Sequence, residues 1–264
     1  MYATGVFRSA SAINSAMGRV YAQMALAVLT SMVVSALVSS SAALMAVLFG
    51  TGLKWVIIFA PLIAIFAITL GFERMSKSTL QIVLHAFAAL MGLSFATIFV
   101  VYTIGSIVSA FMGAAVLFGV MSFYGYFTKR DLSGWGSFLM VGLIAVVIAS
   151  LINVIMAGIW PGVIDNALWA SVISALAIIV FVGLTAYDTQ RIREMVSYEN
   201  DGKLEIMGAL TLYLNFINIF LSLLQLFGNK SEKYKGSVML PFLSKTAFQY
   251  FFDFLNLIPD PLTL

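Results

Sequence analysis

The sequence contains no cysteine, a single histidine and few charged residues along its 264 positions. The absence of cysteine excludes disulfides, thiolate metal sites and cysteine nucleophiles. Charged residues make up only 9% of the chain, whereas soluble domains carry roughly a quarter, and the hydrophobic share reaches 62%. With a mean hydropathy of +1.04, the chain lacks the polar surface that an ordinary cytosolic enzyme needs.

Long stretches without charge are the main positive feature of the sequence. A helix needs about 20 apolar residues to cross a bilayer, and charges inside hydrocarbon are costly, so each such stretch predicts a transmembrane helix. The seven predicted spans are Val20–Ser39, Lys54–Leu70, Leu80–Val101, Ile107–Phe127, Ser137–Ala157, Leu168–Tyr187 and Ile206–Gly228. Transmembrane β-strands are about ten residues long with a period of two, which these runs do not show. We therefore expect an all-α, polytopic membrane protein built as a seven-helix bundle.

Lysine and arginine concentrate in the amino-terminal segment and in the even-numbered loops, which the positive-inside rule places in the cytoplasm. An odd number of spans then puts the carboxyl terminus outside, although Lys230, Lys233 and Lys235 argue against that step. The loop Arg191–Glu205 mixes acids and bases, as a solvated cytoplasmic turn does. The net charge of +3 comes from these loops rather than from a clustered basic face, so no nucleic-acid partner is expected.

The predicted spans divide the chain into three parts. Residues 1–19 are expected to form a cytoplasmic amino-terminal arm, residues 20–230 the seven-helix transmembrane domain, and residues 231–264 a carboxyl-terminal extension without an assigned role. The first span could also be a signal peptide cleaved near the small residues Ser39–Ala43. Its long apolar run, followed by further spans of the same kind, favours a retained helix.

Polar side chains recur at intervals of three and four residues along the last predicted span. They are Thr211, Asn215, Asn218, Ser222, Gln225 and Asn229. At 100° per residue these side chains share one helix face. An unpaired amide in hydrocarbon costs several kcal/mol, so the face must look into the bundle. Two interpretations stay open: a wet or ion-accessible interior, which so long a row favours, and interhelical hydrogen bonds worth about 0.6 kcal/mol each.

Two ionisable side chains lie within or near the spans. Asp188 follows the sixth span, where burial disfavours its charged form and the nearby Arg191 and Arg193 favour it. Asp188 could therefore be a functional carboxylate or an interfacial residue paired with one of these arginines. His85 could sense pH, but no partner is visible in the sequence, and a hydrogen-bonded structural position is the favoured interpretation.

Three segments carry a resemblance to a known family. The segments Tyr124–Gly134, Tyr187–Gln190 and Gly208–Asn218, in this order, resemble the bacterial branch of the Bax inhibitor-1, or transmembrane Bax-inhibitor-motif, family. The resemblance extends from about Arg19 to Lys230. It implies a seven-helix fold in which the last helix is central and surrounded by the other six. It also implies a multi-pass protein of the bacterial inner membrane that acts as a pH-sensitive calcium leak.

The resemblance also assigns a site. In the family an aspartate pair on the last two helices shares a proton or hydrogen bond and bridges to an arginine at the end of the second helix. Asp188 matches the first aspartate and Arg74 falls close to the arginine, but Asn215 occupies the position of the second aspartate. The expected ion-pathway and pH-sensing residues are Asp188, Asn215, Arg74, Asn218, Ser222 and Thr211. No catalytic residue and no resident cofactor is expected, and calcium is the expected transported ion.

The exchange of aspartate for asparagine changes what the pair can do. Two nearby carboxylates share a proton and titrate together, whereas an aspartate with an asparagine does not. The amide oxygen of Asn215 can still coordinate a hard cation such as calcium. We therefore predict a calcium site at Asp188 and Asn215 with weaker affinity than the family's, and a shifted or flattened response to pH.

The two residues of this pair are predicted to lie at different depths in the membrane. Asp188 is predicted about one turn inside the interface, whereas Asn215 is about 15 Å into its helix. Contact between them requires either a longer sixth helix or a seventh helix that begins earlier. The sequence leaves both possibilities open.

Three other functions compete with the leak. Some bacterial relatives bind a membrane-anchored AAA protease, with the cytoplasmic arm as the expected contact, so an interaction protein is the alternative. A retinal photoreceptor needs a Schiff-base lysine within a span, and no lysine lies deep in any of these. An enzyme is not expected because the chain has no nucleophile with a base, no HExxH pair and no phosphate loop.

Overall fold

The computed structural model describes residues 8–159, 166–198 and 202–231. These ranges form eight helices: α1 (Ala10–Ser39), α2 (Ala42–Gly50), α3 (Leu53–Gly71), α4 (Lys77–Val101), α5 (Ile104–Phe127), α6 (Ser133–Ile159), α7 (Asn166–Tyr198) and α8 (Gly202–Phe227). All except α2 are long and apolar enough to cross a membrane. The prediction of an all-α, seven-span membrane protein is therefore confirmed. Of the predicted extension 231–264, all but the first residue lies outside the described residues.

Side-chain caps decide where several of these helices begin. The Ser9 Oγ accepts a hydrogen bond from the Ala12 N–H at 3.3 Å and so caps α1, and Ser76 and Thr103 cap α4 and α5 in the same way. Helix α1 therefore begins ten residues before the first predicted span, and the expected boundary at residue 19 falls inside it. The charged Arg19 marks the predicted boundary, but it lies within α1 and pairs with Glu205 of α8.

Helix α2 is not among the predicted spans, because its nine residues are too few to cross a bilayer. The Ser41 Oγ caps its start by accepting from the Leu44 N–H at 3.3 Å. Phe49 of α2 is buried in a small cluster with Val38 and Ile57. This short helix therefore connects α1 to α3 and packs against both.

Basic residues gather at one end of the bundle, which is called the basic end from here on. They are Arg8, Arg74, Lys77, Lys129, Arg130, Arg191, Arg193 and Lys203. The hydrogen bonds that join helix ends there link the Arg8 N–H to Ser197 O at 3.2 Å, Lys203 Nζ to Glu73 O at 3.2 Å and the Leu132 N–H to Gln190 Oε1 at 2.8 Å. The corresponding bonds at the opposite end link the Thr103 N–H to Asn229 O at 3.0 Å and the Ser231 N–H to Val101 O at 2.9 Å. The long helices therefore alternate in direction, with the start of α1 and the end of α8 at opposite ends.

Helix α8 occupies the centre of the bundle. It packs against α1, α4, α5 and α7, and 89% of its most apolar 18-residue stretch is buried. Phe111 and Phe118 of α5 meet Phe216 of α8 edge to face, at ring-centroid distances of 5.3 and 5.8 Å. The central position predicted for the last helix is therefore confirmed. Helix α3 lies mainly against α4 and α6 mainly against α7, so four helices, rather than the six that the resemblance implies, form the main packing around α8.

Helices α1 and α4 approach closely where α4 carries a row of small residues. A Cβ atom on Gly92 would lie 2.6 Å from Ser31 O and 2.8 Å from Val34 Cβ. Such rows let helix backbones come together in lipid, where packing drives association. The approach brings the Ser31 Oγ within 2.7 Å of Ala88 O and 2.8 Å of the Tyr213 hydroxyl. It thereby ties α8 to the two helices beside it.

Candidate functional site

Helices α7 and α8 are both longer than the predicted spans, and these lengths determine the depths of Asp188 and Asn215. Helix α7 continues eleven residues past its predicted end at Tyr187, and α8 begins four residues before its predicted start at Ile206. Asp188 lies ten residues from the last residue of α7, and Asn215 lies thirteen residues from the first residue of α8. At 1.5 Å per residue these separations are about 15 and 20 Å. In two antiparallel neighbours the two side chains therefore stand at similar depth.

Asp188 and Asn215 meet directly. The Asn215 Nδ2 donates a hydrogen bond to Asp188 Oδ2 at 2.6 Å, and the two residues are 3% and 7% exposed, Asn215 being the more buried. A short contact of this kind is typical of a hydrogen bond to a charged acceptor. The amide stabilises the carboxylate through a donor, without adding a positive charge.

The turn of α7 that carries Asp188 is held by its neighbours. A Cβ atom on Gly125 of α5 would collide with the Ala186 carbonyl, and one on Gly136 of α6 would lie 2.5 Å from a tyrosine ring of α7. The Ser122 Oγ of α5 lies 3.0 Å from Thr189 Oγ1. A backbone contact and a hydroxyl pair with α5, together with a ring contact with α6, fix the direction in which this turn presents its carboxylate.

Gln190, the last residue of the same motif, holds the loop between α5 and α6. Its Nε2 donates to Arg130 O at 2.8 Å, and its Oε1 accepts from the Leu132 N–H at 2.8 Å. In the same loop the Ser133 N–H donates to Asp131 Oδ1 at 2.8 Å, and this bond lowers the pKa of Asp131. The segment Tyr187–Gln190 therefore carries both the buried carboxylate of Asp188 and the side chain that holds this loop of the basic end in place.

The polar face of α8 turns into the protein. Thr211 is half-buried and its Oγ1 donates to Met207 O at 3.2 Å. Asn218 and Ser222 are both 0% exposed. The Asn218 Nδ2 donates to the carbonyl oxygen of its own helix four residues earlier, at 2.8 Å, while the Asn218 Oδ1 and the Ser222 Oγ have no hydrogen-bond partner. The Gln225 Oε1 accepts from a serine of α7 at 2.8 Å.

A cavity of about 520 Å³ opens at the far end of this face, between the start of α5 and the end of α8. Its lining includes Ser106, Ser109, Leu223 and Asn229, the last member of the polar row. The Asn229 N–H donates to the Ser106 Oγ at 2.9 Å. The polar row therefore begins near the buried pair and ends at a partly polar opening.

The structure does not bring Arg74 into this cluster. Arg74 is exposed in the turn that follows α3, where its N–H donates to Gly71 O at 3.0 Å, and its side chain makes no ion pair with Asp188. The single histidine, His85, is half-buried with Nδ1 3.4 Å from Thr30 Oγ1. Of the residues predicted for the site, Asp188 and Asn215 meet. Thr211, Asn218 and Ser222 lie along the same helix as Asn215, and Arg74 lies apart.

An ionic cluster that no sequence pattern predicts lies at the basic end. Glu205 is not part of a solvated loop but lies in the first turn of α8, 5% exposed. Arg19 of α1 binds both of its oxygens, Nε to Oε2 at 2.8 Å and Nη2 to Oε1 at 2.5 Å, and Lys77 Nζ of α4 lies 3.8 Å from Oε2. An acidic residue just before an apolar run is a signal for a first helical turn, but nothing local in the sequence reveals the partner.

The central site consists of Asp188 of α7 and the polar face of α8, and its chemistry follows from the oxygen atoms that these residues supply. They offer one carboxylate and several neutral oxygens. The face of α8 is buried in the bundle, and no basic residue lies between Asn215 and Gln225. Within residues 8–159, 166–198 and 202–231, no group of three or more His, Cys, Asp or Glu side chains is placed to hold a metal. The arrangement therefore offers a cation or water one carboxylate together with neutral amide and hydroxyl oxygens.

Comparison with known proteins adds independent information. The family model described as "Inhibitor of apoptosis-promoting Bax1" matches residues 13–232. The chain belongs to the Bax inhibitor-1 family. The match covers all of the seven long helices except the first three residues of α1, and it ends one residue beyond the last described residue, 231.

This Bax inhibitor-1 family member has several bacterial relatives among curated proteins. It is 39% identical over 225 residues to the inner membrane protein YbhL of Escherichia coli strain K12, covering 83% of this chain and 93% of that protein. It is 39% identical over 218 residues to the protein RP147 of Rickettsia prowazekii, with 81% and 89% covered. A protein of Borreliella burgdorferi is 34% identical over 223 residues, with 82% and 93% covered. With seven apolar helices and these relatives, the chain is a multi-pass protein of the inner-membrane type.

Proposed function

We propose that the protein is a passive cation leak whose path follows the polar face of α8 and is narrowest at Asp188 and Asn215. The observation that carries the proposal is a buried carboxylate in contact with an amide at 2.6 Å, followed on the same face by two buried oxygens without partners. Ionisable residues inside membrane proteins are rare and are typical of paths for ions or protons.

The alternative of interhelical hydrogen bonds alone fits this face less well. Packing contacts of that kind satisfy both partners, as Gln225 and Ser174 do at 2.8 Å. Asn218 Oδ1 and Ser222 Oγ are buried with no partner, and buried polar atoms in native proteins are normally paired with protein or water. Two unpaired oxygens in one row support a face that meets water or an ion.

The direction of the protein in the membrane is part of the proposal. The basic end carries most of the arginine and lysine residues outside the spans, and the positive-inside rule assigns that end to the cytoplasm. The amino terminus is then cytoplasmic, and the cavity beside Asn229 opens on the other side of the membrane.

The resemblance to the family implies calcium as the transported ion and sensitivity to pH. Oxygen ligands from Asp188 and Asn215 are of the type that calcium accepts, so calcium belongs among the cations to be tested. Asn215 does not titrate, and a pair with one ionisable member is expected to respond less steeply to pH than two coupled carboxylates. Arg74, exposed and apart from the pair, has no part in this proposal.

An interaction with a membrane-anchored AAA protease is the second proposal. The exposed residues Ser9, Ser11 and Ser15 at the start of α1 offer a polar surface at the same end as the basic residues. Such a surface is compatible with a protein contact next to the membrane. The two proposals differ in which part of the chain they need, since the leak needs α7 and α8 and the contact needs the amino-terminal segment.

The leak is tested with Asp188→Asn in the purified protein, reconstituted into liposomes and assayed with cation-sensitive dyes. Removing the charge of Asp188 should lower cation flux by about tenfold or more, because a cation then loses this carboxylate in a medium where charge is costly. Asparagine has nearly the same shape, so the packing of α7 should remain.

Ser94→Ala is the matched control. Ser94 is also buried and donates to Ile57 O at 3.1 Å between α3 and α4, away from α7 and α8, and flux should be unchanged in that variant. A folded wild-type protein without cation flux, or flux in Asp188→Asn equal to that of Ser94→Ala, would contradict the leak.

A further inference from the structure

Three exposed basic side chains lie around the loop between α5 and α6, at the basic end. They are Lys129 and Arg130 of the loop itself, and Arg193 of α7. Arg193 Nη1 donates to Tyr126 O at 3.1 Å, and its Cζ lies 5.0 Å from the centre of the Tyr126 ring. Arg193 therefore stands beside the end of α5, from which the other two residues follow directly in the chain.

The positive charges of Lys129, Arg130 and Arg193 are not neutralised by an ion pair in the part of the chain that the structure describes. The acidic residues next to them in the sequence are Asp131 and Glu194. Asp131 Oδ1 accepts from a backbone N–H of α6 at 2.8 Å, and the ion pairs of the described residues join other side chains. Among the described residues, these three charges are therefore open to an external anion.

The loop that carries Lys129 and Arg130 is held in place by the rest of the protein. Gln190 of α7 binds Arg130 O and the Leu132 N–H, both at 2.8 Å, and Leu132 is itself buried. A ligand therefore meets cations whose backbone is already fixed, which lowers the entropy lost on binding.

Exposed aromatic rings lie beside these cations. Phe123 and Phe127 are one turn apart at the end of α5, with ring centroids 4.5 Å apart, and Trp135 lies in the first turn of α6. All three rings are exposed, and apolar surface of this kind is stabilised by leaving water for hydrocarbon. Tryptophan is also enriched at the boundary between hydrocarbon and lipid headgroups. The rings therefore indicate that the neighbouring cations lie at the depth of the headgroups.

We infer that Lys129, Arg130 and Arg193 form a binding surface for the headgroup of an acidic phospholipid, whose acyl chains lie against the aromatic rings beside them. Arginine and lysine are the side chains that bind phosphate. Each basic residue near a membrane surface strengthens the attraction to acidic lipid by about fivefold. A zwitterionic lipid has no net charge to gain from this surface, and a soluble anion gains nothing from the rings.

The test uses brominated lipids, which quench tryptophan fluorescence only at short range. Trp135 is made the single tryptophan of the full-length chain by replacing the other three with phenylalanine. The protein is reconstituted into phosphatidylcholine liposomes that contain brominated phosphatidylglycerol or brominated phosphatidylcholine. Quenching then gives the relative binding constant of the two lipids beside Trp135, and we expect it to favour phosphatidylglycerol by about fivefold or more.

Neutral variants of the loop test which charges are responsible. Lys129→Gln combined with Arg130→Gln should lower the preference to about twofold or less, and added salt should weaken the preference of the wild-type loop, because exposed charges are screened. Lys54→Gln combined with Arg74→Gln is the matched control. It removes two positive charges away from this loop and should leave the preference unchanged.

Several results would overturn the inference. Equal quenching by the two lipids would do so, and so would an unchanged preference in the Lys129→Gln, Arg130→Gln variant. Loss of the preference on adding inorganic phosphate would also contradict it, because it would identify a site for free phosphate instead of a lipid.

A second measurement applies if the chain with a single tryptophan does not fold. Phosphatidylglycerol added to micelles should then raise the unfolding midpoint of the wild-type protein more than phosphatidylcholine does, because a ligand of the folded state stabilises it. The difference between the two lipids should shrink in the Lys129→Gln, Arg130→Gln variant. Equal shifts with both lipids in the wild-type protein would overturn the inference.

Discussion

Among single residues, Asn215 determines what the central pair can do. Asp188 and Asn215 touch at 2.6 Å, and a carboxylate at position 215 would place two like charges at that separation, where they share a proton. An amide donates to the carboxylate and does not titrate. The pair in this chain is therefore held by a hydrogen bond between a charged and a neutral group, and one proton at most changes its state.

The residues of the site differ in how far the sequence reveals them. Asp188 and Asn215 lie in segments that resemble family motifs, so their pairing could be predicted once the resemblance was stated. Arg74 was placed by its position near the end of a span, without a matching motif, and it is exposed. The partner of Glu205 lies 186 residues away in the chain, and no local pattern specifies an ion pair between such distant residues.

The ion pair of Arg19 with Glu205 is tested by a double-mutant cycle with Arg19→Met, Glu205→Gln and the two together. Loss of a buried carboxylate's partner is costly, but Arg19 is half-exposed, so we expect each single change to lower the free energy of unfolding by about 1–2 kcal/mol. The double variant should lose less than the sum of the two, measured by denaturation in detergent micelles.

Arg193→Met is the matched control for this cycle. Arg193 is also at the basic end and stacks 5.0 Å from the Tyr126 ring, without contact to Glu205. The changes in the free energy of unfolding caused by Arg193→Met and by Glu205→Gln should be additive when the two are combined. Strict additivity in the Arg19 cycle as well would show that the pair contributes nothing to holding α1 against α8.

Whole helices show why spans are easier to predict than their ends. Runs without charge located all seven long helices, because hydrocarbon excludes unpaired charge. They missed the ten additional residues of α1 and the eleven of α7, since these turns extend beyond the apolar run and are set by caps and by packing. The extension of α7 is what brings Asp188 to the depth of Asn215.

The start of α1 determines how the amino-terminal segment can be tested. Deleting residues 1–18 would remove Ala16 and Met17, which are 0% and 1% exposed, and would damage the bundle. Replacing residues 1–7 alone with glycine and serine should leave cation flux unchanged and abolish association with a membrane-anchored AAA protease. Flux in liposomes and co-purification of the protease measure the two effects, and a protease that still co-purifies would place the contact elsewhere.

The architecture of the whole molecule follows from the order of its helices. Alternating direction brings α7 and α8 together as antiparallel neighbours, and the polar row on α8 requires an interior position, so the central place of this helix could be predicted. The outer positions of α3 and α6 could not be predicted. Both helices are apolar along most of their length, so no pattern in the sequence indicates which helices they pack against. The cavity beside Asn229 depends on packing between two helix ends and has no sequence signal.

The central claim is that one side of α8 meets water inside the bundle. The chain contains no cysteine, so single thiols can be introduced without background, and the most direct measurement is the rate at which a small water-soluble methanethiosulfonate modifies Ser222→Cys in liposomes. Leu212→Cys is the control, since Leu212 is equally buried, at 0% exposure, in the apolar core. We predict that Ser222→Cys reacts about tenfold faster or more, because a thiol must meet water to form the reactive thiolate. Equal slow rates at the two positions would show that the polar face of α8 is dry, and they would contradict the leak.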